Sequence, residues 1–235
     1  MLRFHTQTAG VQLTAQQPEV NLARVTVQAL AAVLGGTQSL HTNAYDEAIA
    51  LPTEKAARLA VRTQQVLAYE TDLTATADPL AGSYAIETMT SEIEQEAAGL
   101  IAKVEELGGA VAAIEQGFQK SEIERSAYQI ARQVDTGERV VVGVNRFGIA
   151  EDEPYQPLRV DPGIERDQAE RLAVLRRGRD AKELARRIDE LRRTAGTADN
   201  LLYPLREALR ARATVGEVCD ALRDIWGVYK PPDVY

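Results

Sequence analysis

Residues 35–43, GGTQSLHTN, decide how this chain is read. The two glycines end an apolar run, residues 20–34, that recurs at helical spacing after Pro18 and Asn21. Residues 37–42 behind them form a short extended stretch, a strand candidate. One helix upstream, residues 2–8 form a second such stretch, carrying most of FHTQTAG (residues 4–10). Downstream, Pro52 opens a longer helix over residues 53–70, with Ala56, Ala57, Ala60, Val61, Gln64 and Leu67 near one stripe. The order strand, helix, strand, helix is the βα rhythm of a parallel sheet. The only two histidines among 235 residues, His5 and His41, both lie in the strand segments.

If the two strands are adjacent and parallel, their C-terminal ends open on one side, where α/β enzymes place their sites. His5, Gln7 and Thr8 then end the first strand. Gln38, Ser39, His41 and Asn43 line the second, with Tyr45, Asp46 and Glu47 just beyond. Alternation puts His5 and Gln7 on one face and Thr6 on the other. Gly10, Gly35 and Gly36 allow close approach of backbone to a ligand. The set is rich in neutral donors and lacks HExxH, paired cysteines, a Walker loop and GxGxxG. It suits a ligand of amides, carbonyls and hydroxyls held by shape. Two histidines and one glutamate leave a metal as an alternative. Tyr45 and Tyr84 stack on a ring system or pack in the core. Of Asp46 and Glu47, one caps a helix and the other meets the ligand.

The bulk numbers exclude more than they identify. A net charge of -8, from 27 basic and 35 acidic residues, gives no support for nucleic-acid binding. Arg176, Arg177, Arg179, Arg186, Arg187, Arg192 and Arg193 alternate with acids at helical spacing, which reads as a solvated helix face, or as a subunit or anion contact. A single cysteine, Cys219, rules out an intrachain disulfide, fits a reducing compartment and is expected in a core. Arg3 and His5 interrupt any signal-peptide run, and no stretch suits a bilayer, so a soluble, cytoplasmic protein without a membrane partner is expected.

Beyond the second helix, residues 76–84 (TADPLAGSY) read as a turn-rich loop. Ser91 is the candidate cap of a helix running to Leu107, stopped by Gly108 and Gly109. Helices are expected over 110–116 and 121–135, a strand over 139–145 (RVVVGVN), and a polar linker over 151–162. Three more helices follow, 164–193, 201–213 and 215–226, the last opened by a Thr214/Glu217 capping box, and the proline-bearing tail 229–235 lies on a surface. Two βα units cannot close a sheet, since a barrel takes about eight strands. The chain is therefore expected to be the C-terminal part of a larger domain.

The residues support a more specific reading. The joined FHTQTAG and GGTQSLHTNAYDEAIALPTEKAARLA segments, then ADPLAGSY, EELGGAVAAIEQGF, VVVGVNRF and TVGEVCDALRDIWGVYKPP, closely resemble the large, catalytic subunit of the methylmalonyl-CoA mutase family, in its C-terminal portion. The resemblance implies an α/β fold: the last two βα units of a partial (β/α)8 TIM barrel, followed by a mostly helical region. It implies three parts, with residues 1–110 the end of the barrel, 111–160 a helical segment, strand and linker, and 161–235 a C-terminal helical region. It also implies a radical rearrangement of acyl-CoA thioesters, an isomerase reaction that interconverts methylmalonyl-CoA and succinyl-CoA. The coenzyme is adenosylcobalamin (coenzyme B12), bound mainly by a partner domain or subunit. By the same resemblance His5 and Gln7 are active-site residues on the seventh strand. Ser39, assisted by Gln38, contacts CoA, and Asn43 and Glu47 lie near the adenosyl ribose, while His41 is structural or supports the contact residues from behind. The first six strands are missing from the match, as is the cobalt-ligating DxHxxG. The isolated chain is thus expected to be inactive, needing an N-terminal barrel portion and a cobalamin-binding small subunit as partners. The alternatives are an isobutyryl- or 2-hydroxyisobutyryl-CoA mutase part, or a non-catalytic partner-binding fragment.

Overall fold

The computed structural model describes residues 3–150 and 155–230; the start of the first predicted strand, linker residues 151–154 and tail residues 231–235 lie outside the described residues. The chain divides into two compact units, Met1–Arg159 and Val160–Pro231.

In the first unit β1 (His5–Gln7) and β2 (Ser39–His41) pair in parallel, with His5 opposite Ser39, Thr6 opposite Leu40 and Gln7 opposite His41. They are the only sheet among the described residues. Between them runs α1 (Val20–Leu34), which packs on α2 (Glu54–Tyr69). Val25 and Ala29 of α1 and Ala56, Ala60 and Leu67 of α2 are buried at three- and four-residue steps, and burying Val25 or Leu67 contributes about 2 kcal/mol. Alanines at three of these positions suit close contact. Thr53 caps α2, accepting from the Ala56 amide at 3.2 Å. Asn21 does not cap α1. It is fully buried inside the first turn, where its Nδ2 donates to the Thr14 and Tyr45 carbonyls at 2.8 and 2.9 Å and its Oδ1 accepts from the Thr14 amide and Arg24. That side chain ties the loop after β1 to the loop after β2.

Three helices follow: α3 (Tyr84–Glu106), α4 (Ala110–Glu115) and α5 (Phe118–Asp135). Ser83 stands at the N-cap of α3, about two turns before the predicted Ser91 cap; the Ser91 hydroxyl instead donates to the Glu87 carbonyl at 3.0 Å from within the helix. Gly108 and Gly109, at φ 99° and 93°, make the turn into α4. The predicted strand over 139–145 is not a strand. The Asn145 side chain accepts from the Val141 amide and donates to the Val134 and Arg139 carbonyls, all within 2.8 Å, and Gly143 turns at φ 80°. A β-branched run pairs only when another strand is at hand, and here a local asparagine satisfies the backbone instead. The turn is docked by Arg24 on the Val142 carbonyl (2.7 Å) and Gln17 on the Phe147 carbonyl (3.1 Å).

The second unit holds α6 (Pro162–Arg177), α7 (Ala181–Ala195), α8 (Leu202–Arg210) and α9 (Val215–Trp226). The single helix expected over 164–193 is two helices. Gly178 ends the first, and Asp180 caps the second by accepting from the Lys182 and Glu183 amides. Leu184, Ile188 and Leu191 of α7 meet Ala208, Val218 and Ala221 in the core. The Thr214/Glu217 capping box is present, and Arg179 grips the same glutamate with two bonds of 2.7 and 2.5 Å. Cys219 is exposed rather than in the core, because Val218 and Ala221 take the inward face of α9 and the next residue is turned about 100° away. No helix among the described residues is long and apolar enough to cross a membrane.

Candidate functional site

The short sheet has two unlike faces. Thr6 and Leu40 are half-buried, while His5, Gln7, Ser39 and His41 are exposed. Because paired residues of parallel strands share a face, these four form two rows: His5 beside Ser39, and Gln7 beside His41 nearer the C-terminal tips. His5 Nδ1 lies 2.7 Å from Ser39 Oγ. Gln38 stands apart from this face at the N-terminal end of β2, where its side chain accepts from the Phe4 amide (2.8 Å) and donates to the Gly36 carbonyl (2.6 Å).

Past the tips the chain builds a rim. Thr8 is buried, donates from Oγ1 to Asn43 Oδ1 at 2.7 Å and accepts from the Asn43 amide at 2.9 Å, so the loop after β1 locks the loop after β2. Asn43 is 2 % exposed, and its Nδ2 has no partner. Gly10 faces it. A Cβ there would stand 2.7 Å from Asn43 Nδ2 and 2.7 Å from Glu47 Oε1, so glycine alone fits beside these two groups. Glu47 is exposed and Asp46 fully buried, which separates the two acids. Asp46 Oδ2 accepts from the Thr53 amide (3.0 Å), the Thr53 hydroxyl (3.1 Å) and the Tyr155 hydroxyl (2.6 Å), next to the start of α2. Glu47 is the acid that reaches the tip of β1.

Tyr155 is absent from the sequence expectations, which place it in a linker. Its ring meets buried Tyr45 edge-on, 6.3 Å between centroids at 83°. Burial, then the hydrogen bond to Asp46, pushes its hydroxyl up to about 12, so it stays a donor at any physiological pH. Its only sequence signal is one aromatic in a polar, proline-bearing stretch. Tyr45 is thus a packed ring and not a free stacking surface, whereas Tyr84 is exposed at the start of α3. Among the described residues no three His, Cys, Asp or Glu side chains gather as a metal site.

The site therefore offers a wall of neutral hydrogen-bonding side chains, and above it a rim with one buried free amide donor beside one carboxylate acceptor. The family model of methylmalonyl-CoA mutase matches residues 1–228, and the chain belongs to that family. It is 46% identical over 231 residues to the methylmalonyl-CoA mutase of Rhizobium meliloti (strain 1021), covering 97% of this chain and 32% of that protein. It is 40% identical to the mitochondrial methylmalonyl-CoA mutase of Mus musculus, over 99% of this chain and 31% of that protein. It is 41% identical to the 2-hydroxyisobutanoyl-CoA mutase large subunit of Aquincola tertiaricarbonis, over 100% of this chain and 42% of that subunit. The chain thus spans about a third to two fifths of the length of these curated relatives.

Proposed function

We propose that this chain is the C-terminal portion of the catalytic subunit of a coenzyme B12-dependent acyl-CoA mutase, interconverting methylmalonyl-CoA and succinyl-CoA once assembled with the polypeptide that completes its barrel and with a cobalamin-binding subunit. In this reading residues 1–110 are the last two βα units of a (β/α)8 barrel, 111–160 a connecting segment and 161–235 a C-terminal helical region. The observation that carries it is the parallel pair β1–β2, with its exposed polar side chains on one face and a rim of Thr8, Gly10, Asn43 and Glu47 at its C-terminal end. A second feature agrees. The edge of β2 away from β1 has no strand on it among the described residues. The Leu40 carbonyl there is held by Gln64 Nε2 at 3.0 Å, and apolar grooves lined by Val33, Leu40, Val61 and Leu51 flank it. A further βα unit would cover both.

The rim fits the ribose of an adenosyl group by its chemistry. The buried free Nδ2 of Asn43 is a donor, Glu47 is an acceptor for hydroxyls, and Gly10, with no side chain, lets both groups lie close against its backbone. When bound, adenosylcobalamin supplies the radical chemistry. This chain's part is to hold and orient: Asn43 and Glu47 the ribose, Ser39 the CoA arm, His5 and Gln7 the acyl end. The His5–Ser39 contact fixes the imidazole against the wall. The 41% identity to a 2-hydroxyisobutanoyl-CoA mutase large subunit favours a second reading, with that acyl group as substrate.

Reconstitution tests the proposal. The chain, its barrel complement and a cobalamin-binding subunit should together isomerise an acyl-CoA, and Glu47→Gln should raise the KM for adenosylcobalamin at least fivefold while the acyl-CoA KM moves less than twofold. Equal loss toward both ligands refutes the ribose assignment. No turnover with any of the three acyl-CoAs, methylmalonyl, isobutyryl or 2-hydroxyisobutyryl, refutes the mutase reading.

A further inference from the structure

Sequence alone gives His41 a structural part, and its position in the fold gives it another. The register sets His41 opposite Gln7 on the exposed face of the sheet, not on the face that packs on the helices. A structural histidine has its ring nitrogens engaged by neighbours. The His41 ring makes no hydrogen bond to any of the described residues, and neither does the Gln7 side chain. Two free hydrogen-bonding side chains therefore stand side by side, on strands about 4.8 Å apart. They lie two residues beyond the His5/Ser39 row, about 6.6 Å closer to the tips.

We propose that His41 is a substrate-contacting residue. Together with Gln7 it forms the row of the cavity wall between Ser39 and the Glu47 rim, and its imidazole hydrogen-bonds the thioester carbonyl at the acyl end of the substrate. This rests on the mutase reading of the site and deepens it. The position follows from geometry: with the CoA arm at Ser39 low on the wall and the adenosyl ribose at the Glu47 rim, the acyl end that reacts between them lies against the intervening row. In that row Gln7 offers an amide and His41 an imidazole, so each can donate and accept. Loss of one such bond to an uncharged group weakens binding about five- to tenfold.

The test is made in the reconstituted assembly, by steady-state kinetics against acyl-CoA and adenosylcobalamin separately, with thermal unfolding of each variant alongside. His41→Ala should raise the acyl-CoA KM about five- to tenfold, leave the adenosylcobalamin KM within twofold, and leave the unfolding midpoint unchanged. His41→Gln, which keeps a donor and an acceptor, should recover most of the loss. The proposal is overturned if His41→Ala leaves the acyl-CoA KM within twofold, if both KM values rise together, or if the loss follows a lowered midpoint and His41→Gln does not restore it. A wild-type assembly without turnover overturns the mutase reading itself and this inference with it, an outcome distinct from a selective null at His41 in an active enzyme.

Discussion

Replacing Tyr155 by phenylalanine removes one oxygen and leaves the ring where it packs on Tyr45. The lost group is the donor that reaches Asp46 Oδ2 at 2.6 Å, across 109 residues of chain. Asp46 has no exposed surface and its other oxygen has no partner, so Oδ2, with Thr53 and Tyr155, bears the whole solvation of that carboxyl group. A hydrogen bond to a charged group contributes about 1.5–3 kcal/mol when well buried, and part exposure of Tyr155 brings this to about 1–2 kcal/mol. The raised hydroxyl pKa gives an independent check. A group whose folded pKa, about 12, lies above its ordinary value of 10.0 stabilises the fold fully below pH 10 and loses that contribution as pH rises toward 12. The wild-type advantage over Tyr155→Phe should therefore be constant from neutral pH to about pH 9 and shrink above it. Tryptophan fluorescence does not report on this, because Trp226 belongs to the second unit. Amide hydrogen exchange in α1 and α2 does, and about 1–2 kcal/mol appears there as roughly five- to thirtyfold faster exchange. A double-mutant cycle with Asp46→Asn isolates the pair. A coupling below about 0.3 kcal/mol, or an advantage that grows with alkaline pH, refutes the reasoning.

Gly10→Ala places a methyl group 2.7 Å from both Asn43 Nδ2 and Glu47 Oε1, so the fixed asparagine and the mobile carboxylate must both move. In the assembled enzyme its adenosylcobalamin KM should rise more than its acyl-CoA KM, and equal effects would contradict the cradle. In the second unit, the two bonds from Arg179 hold the Glu217 carboxyl down to about 2, with the Thr214 amide and hydroxyl adding to the effect against the opposing cost of burial. A depressed carboxyl stabilises above its ordinary pKa and ceases to do so as pH falls from about 4.5 toward 2. Arg179→Met should cost about 1–2 kcal/mol at pH 7 after screening, and should flatten the acid limb of unfolding followed by Trp226 fluorescence; an unchanged acid limb would contradict it.

What the sequence disclosed is what local chemistry determines. Val25, Ala29 and the glycines behind them fix α1 and its end, Thr53 fixes the start of α2, and Thr214 with Glu217 fixes that of α9. The split between α6 and α7 escaped because arginine- and alanine-rich flanks carry helical periodicity straight across Gly178–Asp180. Only the Asp180-to-Glu183 spacing marks the new start. The run 139–145 has strand composition, and whether it pairs depends on a neighbour that no local pattern reveals. The polar face of the sheet was legible through alternation at His5 and Gln7, but whether His41 shares it depends on register, set by pairing across the sheet. The Tyr155–Asp46 contact joins distant segments and leaves no trace in either one alone.

The surfaces of the first unit bear on the proposed assembly independently of the site. Helix α3 runs 23 residues with none buried, and α5 likewise buries none. Met89, Ile93, Leu100 and Ile101 of α3 and Ile123 and Ile130 of α5 are exposed. Most helical stability comes from covering an apolar face, so long helices with open apolar residues are poorly stabilised by this chain itself. A pair of three-residue strands is likewise too small to stand without further strands. A partner that extends the sheet beyond β2 and covers these helices would supply the missing burial. It would also close the wall on which His5, Gln7, Ser39 and His41 stand, so that completing the fold and completing the site become one event.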